Sequence, residues 1–278
     1  ISATSAVDNS TLTNNTIRIY GFPGNGIFIS DSSFNNVSGN AVFAGKRQAG
    51  GVSANYYALY IESSSYSTIA NNTLEVNGTA GSMYGLFVYD SSAYNNITHN
   101  FVNATIIAST GIHLQASYNN TVRNNTIEAR GVGIELFVNE VLGETNVSGN
   151  VIDTNYIIAN GSSSRGILLT NAKNNTVTNN RIYTNGSGGA SNGILIRTGS
   201  GFNLIKNNSI LTNGTLNNYG IAVTSLSSNN TFLGNNISTL NIDSPGIFID
   251  AANHSHFTNT ILTEPPDWIN ITRNSEMR

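Results

Sequence analysis

The chain has no cysteine, and only 10% of its 278 residues are charged, where a typical soluble domain has about 25%. The first absence excludes a disulfide framework and any thiolate metal site, while leaving the redox compartment open. The second means that solubility has to come from Asn, Ser, Thr and Gly. Twelve Lys plus Arg within a net charge of −3 offer no basic stripe, so nucleic acid is not an expected partner. No apolar run approaches the ~18 residues of a membrane span, and no signal peptide is present. Helix periodicity is also missing, since Asn, Gly and β-branched residues, which disfavour helix interiors, dominate. A chain that starts at Ile1 rather than Met reads as a processed protein or an excised segment.

What is present is repetition. Asn119-Asn120-Thr121-Val122-Arg123-Asn124-Asn125-Thr126-Ile127 returns most plainly as Asn174-Asn175-Thr176-Val177-Thr178-Asn179-Asn180-Arg181-Ile182. Between copies, a Gly is followed by alternating apolar residues, as in Gly111-Ile112-His113-Leu114 and Gly166-Ile167-Leu168-Leu169. Two short strand patterns and two turns therefore make one unit. The second Asn marks it at Asn15, Asn40, Asn72, Asn100, Asn125, Asn150, Asn180, Asn208 and Asn235, with Asn259 as a weaker tenth. Steps of about 24–32 residues signal a solenoid.

One unit has too few apolar residues to bury alone, but superposed units let each Ile, Val and Leu meet its counterparts above and below. The expected fold is all-β, a parallel β-helix of about nine to ten coils. Strands of adjacent coils lie about 4.8 Å apart, so the rod is roughly 45–50 Å long. The marker asparagines are expected to point inward as a ladder, because an amide can donate to the turn backbone and bond the Asn one rung away. Residues 1–10 read as a lead-in or cap, 11–262 as the solenoid, and 263–278 as a C-terminal cap. There Trp268 packs on the open end in preference to gripping a sugar.

The Gly-Ile-x-Leu strands followed by Asn-Asn-Thr-Val-x-Asn-Asn-x-Ile resemble the right-handed parallel β-helix repeat family, whose fold is shared with pectate lyases. Within it the pattern is most similar to the NosD-type repeats of secreted and surface proteins of archaea and some bacteria. The resemblance covers about residues 11–262. It implies a right-handed fold, and it leaves function open among lyases, hydrolases, phage spikes, adhesins and envelope proteins.

Chemistry can be weighed on the residues. Asp31 and Asp90 hold matching positions two coils apart, with Glu62 near them on the coil between and Lys46 and Arg47 on a nearby loop. A calcium-assisted lyase would use such oxygen ligands and a basic residue, but scattered solvated charges explain them as well. The hydrolase Gly-His-Gly segment and an Arg-centred lyase motif are absent, so no catalytic residue is assigned. Copper wants His, Met or Cys, and His99, His113, His254, His256, Met83 and Met277 are dispersed along the chain. No metal and no cofactor are expected.

The outward position of each Gly strand reads Phe28, Tyr60, Phe87, His113, Glu135, Leu168, Leu195, Ala222 and Phe248. A column so apolar is uncommon on a soluble monomer. Phe28, Tyr60, Phe87, Leu168, Leu195 and Phe248 are therefore the expected interface with copies of the same chain. Sequons in the variable loops, at Asn77, Asn103, Asn160, Asn185 and Asn213, are the credible glycan acceptors. These residues lead to an expected non-enzymatic extracellular or cell-surface protein that assembles into a sheath, surface layer or filament. The alternative is a polysaccharide-binding or polysaccharide-cleaving module, or an adhesin.

Overall fold

The computed structural model describes residues 1–4, 7–20, 24–45, 55–77, 82–106, 108–144, 147–214, 217–241, 244–263 and 269–272. Three parallel sheets of eleven, ten and ten strands wrap the chain into a solenoid, each strand pairing only with its counterparts in neighbouring coils. One coil runs Thr110–Gln115, Thr121–Arg123 and Thr126–Ala129. The next runs Val132–Phe137, Val151–Asp153 and Tyr156–Ala159. Ile112 pairs with Ile134, Val122 with Ile152 and Ile127 with Ile157. Each of these six side chains is completely buried, so apolar columns from all three sheets meet in one continuous core.

The coil has three strands where the sequence suggested two. The nine-residue Asn segment is itself bent, because Asn124 adopts φ 53° between the strands Thr121–Arg123 and Thr126–Ala129. Asn tolerates this left-handed conformation better than most residues. The Asn pair thus has a division of labour. The first Asn makes the corner, as at Asn119 and Asn124. The second, Asn120 or Asn125, turns inward and is buried.

Two inward ladders result. Asn100 shows the bonding scheme of the first. Its backbone N–H donates to Asn125 Oδ1 at 2.9 Å, and its Nδ2 donates to Asn125 Oδ1 at 3.0 Å and to the Ile69 carbonyl at 2.8 Å. Asn15, Asn40, Asn72, Asn100, Asn125, Asn155, Asn180, Asn208 and Asn235 continue it rung by rung. Asn150, expected on this ladder, belongs to the second. There it accepts from Asn120 and donates to Asn175. The Ser148-Gly149-Asn150 triplet copies Ser38-Gly39-Asn40 in sequence, but Thr154-Asn155, five residues on, holds the equivalent corner and rung. Asn259 likewise makes a corner, with φ 50°.

In most strands of the first sheet a Gly answers a close approach to the next coil. A Cβ on Gly111 would lie 2.6 Å from the Gly133 carbonyl oxygen of the next coil and would press into Ile127. Ala58, which takes this place in one coil, is fully buried.

Ordered pairing extends beyond 11–262 at both ends. Ser2–Thr4 pairs with the strand containing Phe28, and Ile269–Thr272 pairs with the strand containing Ile247. Trp268 lies outside the described residues, as does most of the expected C-terminal cap. No helix among the described residues is long and apolar enough to cross a membrane.

Candidate functional site

Three outward columns cover the face of the first sheet. The middle one is the expected column, with Phe28, Tyr60, Phe87, His113, Glu135, Leu168, Leu195, Ala222 and Phe248 in register. Beside it runs Tyr57, Tyr84, Thr110, Val132, Arg165 and Asn192. Glu62, Tyr89, Gln115, Phe137, Thr170 and Arg197 flank the other side. These neighbours cover much of the apolar column, leaving Phe87, Leu168 and Leu195 only 6%, 2% and 7% exposed. The column is less open than its residue types suggested. Phe28, Tyr60 and Phe248 remain half-buried.

At its N-terminal end the face is aromatic. Tyr57 stacks on Tyr84 with centroids 5.3 Å apart and lies 4.9 Å from Tyr60. Phe87 stacks on His113 at 4.9 Å, and Tyr84 meets the same imidazole edge-on at 5.1 Å. The His113 ring is buried, with Nδ1 3.0 Å from Glu135 Oε2 and Nε2 3.2 Å from Gln115 Oε1. Gln115 Nε2 donates to Glu144 Oε1 at 2.6 Å, which turns the amide oxygen toward the histidine. Both ring nitrogens thus lie within hydrogen-bond distance of side-chain oxygens. Glu144 is held in turn by the backbone N–H of Asn139, beside the short 3₁₀ turn Glu140–Leu142.

Burial pushes the Glu135 carboxyl up, but the charge and hydrogen bond of His113, with Arg197 and Arg165 behind, outweigh it and hold the group below the usual carboxylate range. Burial depresses the Arg165 guanidinium, as does Arg197, against the pull of Glu135. Arg165 Nε is buried without a hydrogen-bond partner. The Tyr84 phenol is pushed up, chiefly by burial and also by Glu135, although a bond from Ser82 opposes the shift. Burial likewise raises Tyr57 and Tyr60, the latter with help from Glu62. The site therefore holds a carboxylate, an imidazole and protonated phenols in one shallow face.

The acidic trio expected from sequence lies along the adjoining edge. Asp31 and Asp90 occupy equivalent corners at φ 50° and 47°, with Ser63 between them. Hydroxyls hold all three carboxylates. Ser30 Oγ bonds Asp31 Oδ2 at 3.0 Å, Tyr60 Oη donates to Glu62 Oε1 at 3.0 Å, and Ser63 Oγ donates to Asp90 Oδ2 at 2.9 Å. Lys46 and Arg47 lie outside the described residues. Among the described residues, no group of three or more His, Cys, Asp or Glu could hold a metal ion.

Two family models match the chain: right-handed β-helix region over residues 1–164, and periplasmic copper-binding protein (NosD) over residues 102–246. The chain belongs to the right-handed β-helix repeat family. A search of curated proteins returns no match. Solved structures match over nearly the whole chain. An alginate lyase from a Paenibacillus species is 15% identical, with TM-score 0.64, covering 92% of this chain and 98% of that one. The A-module of the Azotobacter vinelandii mannuronan C-5 epimerase AlgE4 is 15% identical, with TM-score 0.58, covering 96% and 79%. The Dettilon tailspike protein is 12% identical, with TM-score 0.63, covering 95% and 61%. At such identities the likeness is one of fold.

Among the described residues, the copper in one family description finds no matching donor set. Met83 is fully buried, His113 is engaged by Glu135 and Gln115, and His99, His254 and His256 are exposed on separate turns or strands. Met277 is outside the described residues.

Proposed function

We propose that this β-helix is a carbohydrate-binding module whose first-sheet outer face holds a glycan, with His113 and Glu135 placed to move a proton on it. The observation that carries the reading is the meeting, on one face, of half-buried Tyr57, Tyr60 and Tyr84 with the His113–Glu135 pair and the guanidiniums of Arg165 and Arg197. Tyrosines combine an apolar body with a polar tip, which matches a pyranose ring and its hydroxyls. Gln115 and the arginines supply directional partners of the kind that orient a ligand. Names of similar structures support a carbohydrate, since one is an alginate lyase and another a mannuronan epimerase. The ion-paired imidazole is suited to acid–base catalysis, and the neighbouring phenol of Tyr84 to hydrogen-bond donation.

The test is a panel of alginate, polygalacturonate and neutral glucans, read by calorimetry for binding and by ultraviolet absorbance for an unsaturated product. Binding that is weakened in Tyr57→Ala, with any turnover lost in His113→Ala, supports the reading. A chain that binds none of the panel removes it. A location outside the cytoplasm, extracellular or periplasmic, accords with the periplasmic family description. If the protein passes through a glycosylating compartment, the exposed Asn77, Asn160 and Asn185 are better acceptors than the half-buried Asn103 and Asn213.

Self-association is a second reading, resting on the half-buried Phe28, Tyr60 and Phe248. The burial of Phe87, Leu168 and Leu195 within one chain leaves it less surface than the sequence suggested. Sedimentation across a concentration range checks it, and a monomer throughout ends it.

A further inference from the structure

A second aromatic surface lies on the corner between the first and second sheets, away from the His113–Glu135 pair. Phe34, Tyr66 and Tyr94 hold the same corner in three consecutive coils, and their backbone N–H groups bond the carbonyls of Ser65, Ala93 and Tyr118 on the following coils. The rings stack almost parallel, Phe34 on Tyr66 at 5.1 Å and 8°, Tyr66 on Tyr94 at 5.0 Å and 5°. Tyr118 closes the stack edge-on, 6.4 Å from Tyr94. Despite this order the three side chains are 55%, 53% and 50% exposed.

Their backbone makes the arrangement unusual. Phe34, Tyr66 and Tyr94 have φ of 59°, 57° and 57°, in the left-handed region. Elsewhere in the rod the same corner is held by Asn9, Asn119, Asn174 and Asn229, by Gly149 and His254, and by a single unstacked aromatic, Phe202, all at positive φ. Asn suits that conformation, whereas a bulky ring there is an outlier. The fold therefore does not ask for aromatics at these three corners, and their burial is not what retains them.

We propose that the Phe34–Tyr66–Tyr94 ladder is a docking strip for a neutral glycan, held along the rod beside the first-sheet face. This inference rests on the carbohydrate reading above and adds the class of glycan. The strip offers ring edges at the repeat of the coil with phenol hydroxyls at Tyr66 and Tyr94. Alongside it, exposed Asn36, Thr68 and Asn96 stand in register on the next sheet and offer amide and hydroxyl partners. Such a mixture suits a ligand that alternates C–H faces with hydroxyls. The only ionisable groups besides the tyrosines in the turns that carry the ladder are Asp31 and Asp90, both acidic. Their charge disfavours a polyuronate or a nucleic acid and leaves an uncharged sugar chain as the fitting occupant.

The experiment is affinity electrophoresis of the intact chain through gels containing hydroxyethylcellulose, galactomannan, dextran or sodium alginate. It compares wild type with the triple variant Phe34→Asn, Tyr66→Asn, Tyr94→Asn. Because Asn is the residue this corner holds in other coils, the variant is expected to melt at or above the wild-type temperature. Wild type is expected to be retarded by at least one neutral glycan, and the variant to bind it at least tenfold more weakly. Retardation by alginate, if present, is expected to stay unchanged in the triple variant and to fall in Tyr57→Ala. A folded triple variant retarded like wild type by the neutral glycan overturns the ladder and spares the face. Retardation by alginate alone also overturns it. If no gel retards wild type, both readings fall together. Should the triple substitution alter only concentration-dependent sedimentation, the occupant is a second copy and the proposal is wrong.

Discussion

His113 Nδ1 and Glu135 Oε2 lie 3.0 Å apart across adjacent coils, although 22 residues separate them in the chain. The pair is made by register alone, and its pH behaviour follows from the carboxylate. Because Glu135 is held below its ordinary range in the fold, it contributes stability that is present above the unfolded value of about 4.3 and is lost as pH falls through the lower folded value. Melting curves of wild type and Glu135→Gln should differ near neutrality and converge in acid. A gap that persists unchanged to the acid limit contradicts the assignment.

At the alkaline end the sign reverses. Tyr57, Tyr60 and Tyr84 are all raised, mainly by burial. Their contribution is intact below the free-tyrosine value of about 10 and is lost as pH rises through their higher folded values. Absorbance titration of the folded protein should show a group of phenols ionising late. Substituting Phe at Tyr84 should remove one of them.

Asn125→Ala removes the acceptor of both the backbone N–H and Nδ2 of Asn100, and the donor to the Ile97 carbonyl. Each buried group left unpaired costs about 1–3 kcal/mol, so a loss of roughly 3 kcal/mol or more is expected by urea denaturation. Substituting Ala at the exposed corner residue Asn124 serves as the control, with a smaller loss from its left-handed backbone. Equal effects at the two positions contradict the ladder account.

Leu168→Ala tests whether the outer column behaves as a small core. Leu168 packs with Val132, Leu195 and Ala222 and is 2% exposed. A buried Leu→Ala change costs about 2–5 kcal/mol, against a few tenths for a solvated leucine. The Leu226→Ala variant, at a side chain 77% exposed, provides that comparison.

Stacking was legible in the sequence because near-copies of one segment can bury their Ile and Val only by superposition. The rung assignment was less so. Most coils carry two corner-plus-rung pairs five residues apart with Asn as the usual rung, so a similar triplet drew Asn150 onto the ladder that Asn155 occupies. The third strand was hidden by the same pair, since Asn124 looks like repetition and acts as a corner. His113 and Glu135 were visible as neighbours in the outward column. What surrounds them was not, because Gln115, Arg165 and Arg197 reach the site from other columns and coils whose loop lengths vary. The Phe34, Tyr66 and Tyr94 ladder had a signal in the text, an aromatic directly before the inward Asn35, Ser67 and Asn95. Its importance depends on the left-handed backbone, which a sequence does not display.

In both columns the amide-to-amide bonds run one way, Nδ2 donating to the Oδ1 of the coil that follows, while the same Nδ2 also reaches back to a carbonyl of the coil before. The rod therefore has unlike ends, one presenting amide acceptors and the other donors, and most interior coils offer their neighbours the same contacts. Duplicating a whole turn lengthens such a molecule by re-forming the same kinds of bond at each new junction, while deleting one residue from a rung pair shifts a side chain off its column. Growth by unit duplication, with novelty confined to corners and outer faces, is the route this architecture leaves open to change.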